Sequence, residues 1–597
     1  MKKFRKLGGI LLAVVIVAVS LFSAMAVDDP KDLTSHSYYA YQIFSAEGYK
    51  RNSAASQNDS IVNVQWGSAF TTEEQKTAFI NGLKAMKVVD ENNNEVESPF
   101  KSASRLKTAE DIAKVLSNPN YGDDSDVAKA FAKYTAKFAI ENNLTRMEGT
   151  YKNGAKFAQT GFYLFLDATE TNNQEDVVAN AVVSKMKANE AVNITVKVTV
   201  PTLEKKVKEN TYNGNAASGI NTAYGEYKYG EGYNDAADYC IGDEVPFELI
   251  GTMAEGMEYY DTYYYGFIDT LCAGLTFDAD KADVKIYVYN PDASGKYVQT
   301  GDELVAAGKF TYTATVNANG TTKVVFECAD ILPITEINSK SRVVVNYDAV
   351  LNNAAVIGYD GNENKAYLEY SNNPLPTPGG TTPSKGKTPE DKVIVFTYSM
   401  DVNKIDKNTD AALDGAEFYL LNAQGEYYCK EAADSLPYWG TATDANVAKI
   451  TPNANKVFTV SGLDKGTYKL IEAKAPTNYR PLENPVVIDV NAVILPDKDH
   501  GTDTEEDKVA REAAQNWNDG KADSALLGGY SVSKNDSVTP NSNNYVSIDG
   551  TKVTVANEKT YILPGTGGDG TALIYIIGGA LLAAAAGLFI VKRRSSK

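Results

Sequence analysis

Histidine is almost missing from this chain: 597 residues hold only His36 and His500. Both lie in polar segments. A Ser-His-Asp or Cys-His catalytic arrangement therefore has little to draw on, and a histidine-rich zinc site is excluded by count. Cysteine is scarce as well. Four residues in so long a chain make a poor disulfide framework. Cys240, Cys272 and Cys328 fall within one segment and leave room for one pair, with Cys429 expected to stay free. Basic residues fall short of acidic ones, 58 against 77, for a formal charge of −19. Such a surface repels nucleic acid, and no nucleic-acid partner is expected. Nothing points to a cofactor or a metal. The acidic stretch 497–507, with Asp497, Asp499 and Asp503, lacks ideal calcium-loop spacing and is expected to be a solvated loop.

Long apolar runs occur only at the two ends. Lys2, Lys3, Arg5 and Lys6 precede an apolar run from Ile10 to Phe22, and Ala24-Met25-Ala26 fits a small-x-small cleavage site. Residues 1–26 are therefore expected to be a secretory signal peptide. At the other end, Leu563-Pro564-Gly565-Thr566-Gly567 is followed by an apolar run over 572–591 and then Lys592-Arg593-Arg594. The run is about long enough to cross a bilayer as a helix, and the basic cluster would stay on the cytoplasmic side. Pro564 keeps the motif extended, and Gly565 and Gly567 leave the Thr566 carbonyl open to a nucleophile. This terminus, 561–597, resembles the cell-wall sorting signal of Gram-positive surface proteins. The resemblance implies a sortase that cuts between Thr566 and Gly567 and passes Thr566 to an amine. It also implies a precursor held transiently in the membrane and a product secreted and covalently anchored to the cell wall.

What lies between is rich in tyrosine, 38 residues, and strand formers dominate after residue 190, which favours β-sandwiches. The first unit, 27–196, mixes both kinds of element. Ser37–Phe44 and Gly161–Leu166 read as strands. Thr71-x-x-Glu74 and Thr108-x-x-Asp111 read as capping boxes, and Val127, Phe131, Tyr134 and Phe138 form an apolar helical stripe.

The second unit, 197–374, opens with Pro201-x-Leu203-x-Lys205-x-Val207. Strand alternation puts Lys205 on the core face with Leu203 and Val207, where a lysine is costly. It closes with Leu368, Tyr370 and Asn372 on one face, and Asp269 sits between among apolar residues. Lysine, asparagine and a carboxyl group buried together have a specific chemistry. Burial lowers the amine pKa and raises that of the acid. The neutral amine can then attack the amide and expel ammonia. With Tyr239–Phe247 and Ile268–Leu275, these segments resemble the isopeptide-forming D2-type domain of Gram-positive fimbrial shaft proteins. The resemblance implies a Lys205–Asn372 bond assisted by Asp269. It also implies an intersubunit lysine just upstream. Lys197 is nearest by position, with Lys185 and Lys187 as alternatives.

Residues 375–390 read as a Pro/Gly linker. The third unit, 391–560, carries Asp401–Asp406 around Lys404, the box Leu463-x-x-Gly466-Thr467-Tyr468-Lys469-Leu470-Ile471-Glu472, and Val553–Asn557 at its end. It resembles the B-type repeat of collagen adhesins and pilins, an inverse immunoglobulin-like sandwich. That resemblance makes Lys404 the nucleophile, Asn557 the electrophile and Glu472 the assisting acid.

The fold class expected is mainly β: tandem immunoglobulin-like sandwiches after an N-terminal α+β domain. The function implied is structural, the shaft subunit of a sortase-assembled pilus. Its expected partners are pilin-specific and housekeeping sortases, other pilin subunits, peptidoglycan and a host surface ligand. The cross-linking is single-turnover self-chemistry, so no enzyme is expected. The alternative is a monomeric wall-anchored adhesin or an accessory pilin, which shares every feature but a working junction lysine.

Overall fold

A computed structural model describes residues 36–50, 60–89, 95–101, 106–122, 125–168, 178, 181–192, 199–210, 233–375, 384–495, 526–535, 546–561 and 569–594. The signal peptide, Lys197, the acidic stretch 497–507 and the motif residues Leu563, Pro564, Thr566 and Gly567 lie outside these residues.

The chain is mainly β. Its first unit has a four-stranded sheet in the order Ser60–Trp66, Tyr38–Lys50, Gly161–Asp167, Val182–Met186. Helices Glu73–Ala85, Ala109–Leu116 and Asp126–Glu141 accompany it. The capping box at Thr108 and Asp111 forms as expected. The other forms one residue later, between Thr72 and Gln75, whose amide side chain reaches back to the Thr72 backbone. The longest helix buries Val127, Phe131 and Phe138, and Phe131 meets Phe79 edge-on with ring centroids 6.2 Å apart.

The second unit is a sandwich of two large sheets. One sheet runs Tyr297–Thr300, Lys285–Pro291, Arg342–Leu351, Glu244–Thr252, Leu203–Lys208, Tyr233–Asn234. The other runs Thr311–Val316, Thr322–Cys328, Tyr265–Leu271, Asn362–Ser371, Asp391–Phe396, Ala236–Asp238. Strand alternation sends Phe247, Leu249, Phe267, Leu271, Val345 and Leu368 into the space between.

The strand Asp391–Phe396 had been expected to open the third unit. It pairs instead with Asn362–Ala366 in the second sandwich. Its period of two explains the position. Val393 and Val395 enter the core of the second sandwich, while Ile394 and Phe396 enter that of the third. The linker reading is also shortened, because Lys385–Lys387 pairs back onto Glu369–Ser371.

In the third unit, Tyr398–Asp406 lies between Val457–Leu463 and Lys552–Asn557, with Val546–Asp549 at the edge. The first and last long strands are parallel neighbours, Lys404 facing Val555 and Asp406 facing Asn557. The facing sheet runs Tyr438–Gly440, Tyr427–Cys429, Glu417–Leu421, Gly466–Lys474, Val486–Leu495, Leu526–Lys534.

All four cysteines are free thiols, so Cys240, Cys272 and Cys328, which had room for one pair, form none. Each sits in a separate setting: the Cys272 sulfur faces the Asn362 side chain, the Cys328 thiol donates to the Asp330 carbonyl 3.2 Å away, and Cys240 is buried against the third unit. A C-terminal helix spans Asp569–Arg594, with side chains described only over 574–586. Among the described residues no helix is long and apolar enough to cross a membrane.

Candidate functional site

Every second residue of Tyr398–Asp406 is buried, and Lys404 falls on that series. The position that strand geometry reserves for an apolar side chain therefore holds an amine. Its side chain is wholly buried, with Nζ 5.4 Å from the centre of the Phe418 ring. Burial lowers its pKa, and the Glu472 carboxylate partly opposes that shift. Glu472 reaches across from the facing sheet, its side chain equally buried, with Oε1 2.9 Å from Lys404 Nζ. Asn557 arrives on the parallel neighbour strand, and its Oδ1 accepts a short hydrogen bond from Lys404 Nζ. Its amide nitrogen donates to both Glu472 oxygens, at 2.9 and 3.2 Å. The Leu482 backbone N–H donates to Glu472 Oε2 at 2.8 Å. Amine, amide and acid thus close a triangle in which each group touches the other two. All three residues named from the sequence are brought together.

The second sandwich has a similar centre with one member changed. Lys205 is fully buried, and its Nζ donates to Asp269 Oδ2 at 2.7 Å and to the Tyr347 hydroxyl at 3.2 Å. Burial lowers its pKa, opposed by Asp269. The Tyr347 hydroxyl donates to the same Asp269 oxygen at 2.5 Å. It also accepts from the amide nitrogen of Asn364 at 2.8 Å.

Asn372 is elsewhere. Its Oδ1 accepts from the Ser384 hydroxyl at 2.7 Å, and its backbone carbonyl accepts from Val178 N–H. The register shows why. Asp269 stands opposite Ala366; Asn372 is six residues further along, roughly 20 Å at the strand rise. Asn364 is two residues from Ala366 on the same face. The Lys205–Asn372 pairing is therefore corrected to Lys205 with Asn364. The signal was available: Asn362–Ser371 buries every second residue, Asn364 among them with Leu368 and Tyr370. Following the alternation toward the strand's end selected Asn372, and following it backward selects Asn364. Tyr347 carried no local signal, because its contacts come from strands distant in sequence.

Among the described residues, Asn364 Oδ1 and Asp269 Oδ1 have no hydrogen-bond partner. A buried amide carbonyl without a donor is costly, and the Asn364 amide and the Lys205 amine share the Tyr347 hydroxyl as a partner.

A family described as SpaA, a prealbumin-like fold domain, matches residues 398–499. The chain is 28% identical over 288 residues to the trypsin-resistant surface T6 protein of Streptococcus pyogenes serotype M6. That match covers 42% of this chain and 48% of the relative, so the chain spans about half the length of the curated relative it matches. The solved T6 backbone pilin of the same serotype is 16% identical, covering 89% of this chain and 98% of that one, with a TM-score of 0.43. The group B streptococcus pilus 2b backbone protein is 24% identical, covering 55% and 97%, with a TM-score of 0.32. This chain is similar to Gram-positive pilus backbone proteins. The residues matched by that family, 398–499, include Lys404 and Glu472.

Proposed function

We propose that this chain is the structural shaft subunit of a sortase-assembled pilus, braced by two intramolecular Lys–Asn isopeptide bonds. The observation that carries the reading is the closed Lys404–Glu472–Asn557 triangle. In the reaction, Lys404 Nζ as the neutral amine attacks Asn557 Cγ. Glu472 accepts the amine proton and returns a proton to the departing nitrogen. The Nζ–Cγ bond forms, the Cγ–Nδ2 bond breaks, and ammonia leaves. Lys205, Asp269 and Asn364 would do the same in the second sandwich, with the Tyr347 hydroxyl orienting the amide. Proximity in a water-excluded core supplies most of the acceleration.

The Lys404–Asn557 bond would join the first and last long strands of the third sandwich, and the Lys205–Asn364 bond would join Leu203–Lys208 to Asn362–Ser371 in the second. Lys404 and Asn557 are 153 residues apart, and closing such a loop removes about 5 kcal/mol of unfolded-chain entropy by the relation used for disulfides. Such bonds would brace domains whose cysteines are all free. Export by the N-terminal signal, cleavage between Thr566 and Gly567, transfer of Thr566 to Lys197 of another subunit and final attachment to peptidoglycan complete the reading. The family similarity supports its structural, surface-associated part.

The test has two parts. The fully reduced protein should have a mass lower than its sequence requires by two ammonias. In cells, Lys197→Arg should abolish the high-mass ladder on denaturing gels while leaving wall-anchored monomer. A normal mass would remove the brace. A persistent ladder would move the junction to Lys185 or Lys187, and no ladder from the native chain would favour a monomeric adhesin.

A further inference from the structure

The junction between the second and third sandwiches buries three acids that the cross-linking reading does not use. Glu209 follows the first strand of the second sandwich, Asp238 ends its short strand Ala236–Asp238, and Asp464 lies in the turn between Val457–Leu463 and Gly466–Lys474. All three are buried, and one carboxylate oxygen from each lies within 4.8 Å of the others. The turn that carries Asp464 is pressed against the second sandwich. Ile241 N–H donates to the Gly462 carbonyl at 3.0 Å, and Gly462 has φ +81°, with Ile241 against its α-carbon.

The hydrogen bonds leave part of this cluster unserved. Glu209 takes backbone N–H groups from Asn210 and Asp238, and Asp238 Oδ2 takes the Tyr398 hydroxyl at 2.8 Å. Among the described residues, Asp238 Oδ1 and both oxygens of Asp464 have no donor. Lone buried carboxylate oxygens are expensive. Two neutralisers are chemically available, shared protons or a cation. The donors are oxygens, which selects a hard ion over a soft one. Three buried protein carboxylates with oxygens within 4.8 Å of one another suit calcium, whereas magnesium keeps several waters and is usually held by one or two carboxylates.

We propose that Glu209, Asp238 and Asp464 form a calcium site that clamps the second sandwich to the third. Two ligands come from one domain and one from the other, so the ion would hold the junction as a single body.

The full-length protein, stripped with EDTA and dialysed, is titrated with calcium by calorimetry beside Asp464→Asn. Asparagine keeps the shape and removes the charge. The expected result is one fewer calcium bound per chain in the variant and a calcium-dependent rise in melting temperature present only in the native chain. Magnesium should bind more weakly. Equal stoichiometry, or a melting temperature indifferent to calcium, would overturn the site and leave shared protons as the neutraliser. Should Asp464→Asn fail to fold, terbium luminescence excited through tyrosine in the native chain, compared with Glu209→Gln, replaces it. Calcium-competable emission lost in Glu209→Gln supports the site, and emission unchanged by that substitution refutes it.

Discussion

Replacing Asn364 with alanine should remove one covalent bond, and replacing Asn372 should not. Asn364 shares its face with the residues opposite Asp269, while Asn372 stands about six strand residues, roughly 20 Å, further on. No rotamer change spans that gap. Asn364→Ala should raise the measured mass of the reduced protein by one ammonia relative to that expected from its sequence with two bonds. Asn372→Ala should leave the deficit at two. The stability consequences differ in size. Opening a loop of about 160 residues forfeits about 5 kcal/mol. For a domain of this size each kcal/mol moves the midpoint by about 2–4 °C, so the second sandwich should melt about 10–20 °C lower. Asn372→Ala gives up the Ser384 hydrogen bond, about 1 kcal/mol. Calorimetry resolves the two sandwiches, and intact-mass spectrometry counts the bonds. A full deficit in Asn364→Ala together with a lost ammonia in Asn372→Ala would refute the register argument outright.

Glu472→Ala should abolish the third-domain bond although Lys404 and Asn557 remain, because the proton carrier is gone; the mass should show one ammonia deficit instead of two. The pH dependence of stability should carry the mark of Glu248, whose carboxyl is pushed up to about 7 by burial, against the hydrogen bond from Asn346. The folded state then holds a proton that the unfolded state has lost, so stability is full below about pH 4.5 and falls as pH rises through about 7. That amounts to about 3 kcal/mol across the window, and Glu248→Gln should flatten it in denaturant titrations at pH 5 and pH 8.

The third-domain site was legible because each of its parts is local. Lys404 breaks an alternating strand, Glu472 sits in a box with its own spacing, and Asn557 closes the last strand. The second site was legible only in two parts of three. Alternation states which face a residue takes, but not where along the partner strand it lands, and that register is set by long-range pairing. The same limit hid the boundary strand Asp391–Phe396. Its four apolar residues read as one buried run, yet they divide between two cores. The acids of the domain junction were the least legible, since Asp464 meets Glu209 and Asp238 only after two sandwiches have formed and docked.

The corrected pairing changes how tension would cross the molecule. Force entering at Lys205 would pass to Asn364 through one bond, follow the main chain to Lys404, and leave through Asn557. Only residues 364–404 then carry tension along an unbridged backbone. Within that segment Asn362–Ala366 and Asp391–Val395 are antiparallel partners, Asn364 facing Val393. Pulling apart the open end of such a hairpin breaks its hydrogen bonds one pair at a time. What resists is the burial of Val393 and Val395 in one core and Ile394 and Phe396 in the other. Single-molecule pulling between handles at residues 200 and 560 should therefore yield, before rupture, no more than the length of that segment. About 40 residues at 3.3–3.6 Å each give roughly 140 Å. In Asn364→Ala the second sandwich should unravel as well and add about 160 residues of length. An extension well beyond 140 Å in the native chain would mean that a cross-link is missing. One limited to about 110 Å would return the bond to Asn372.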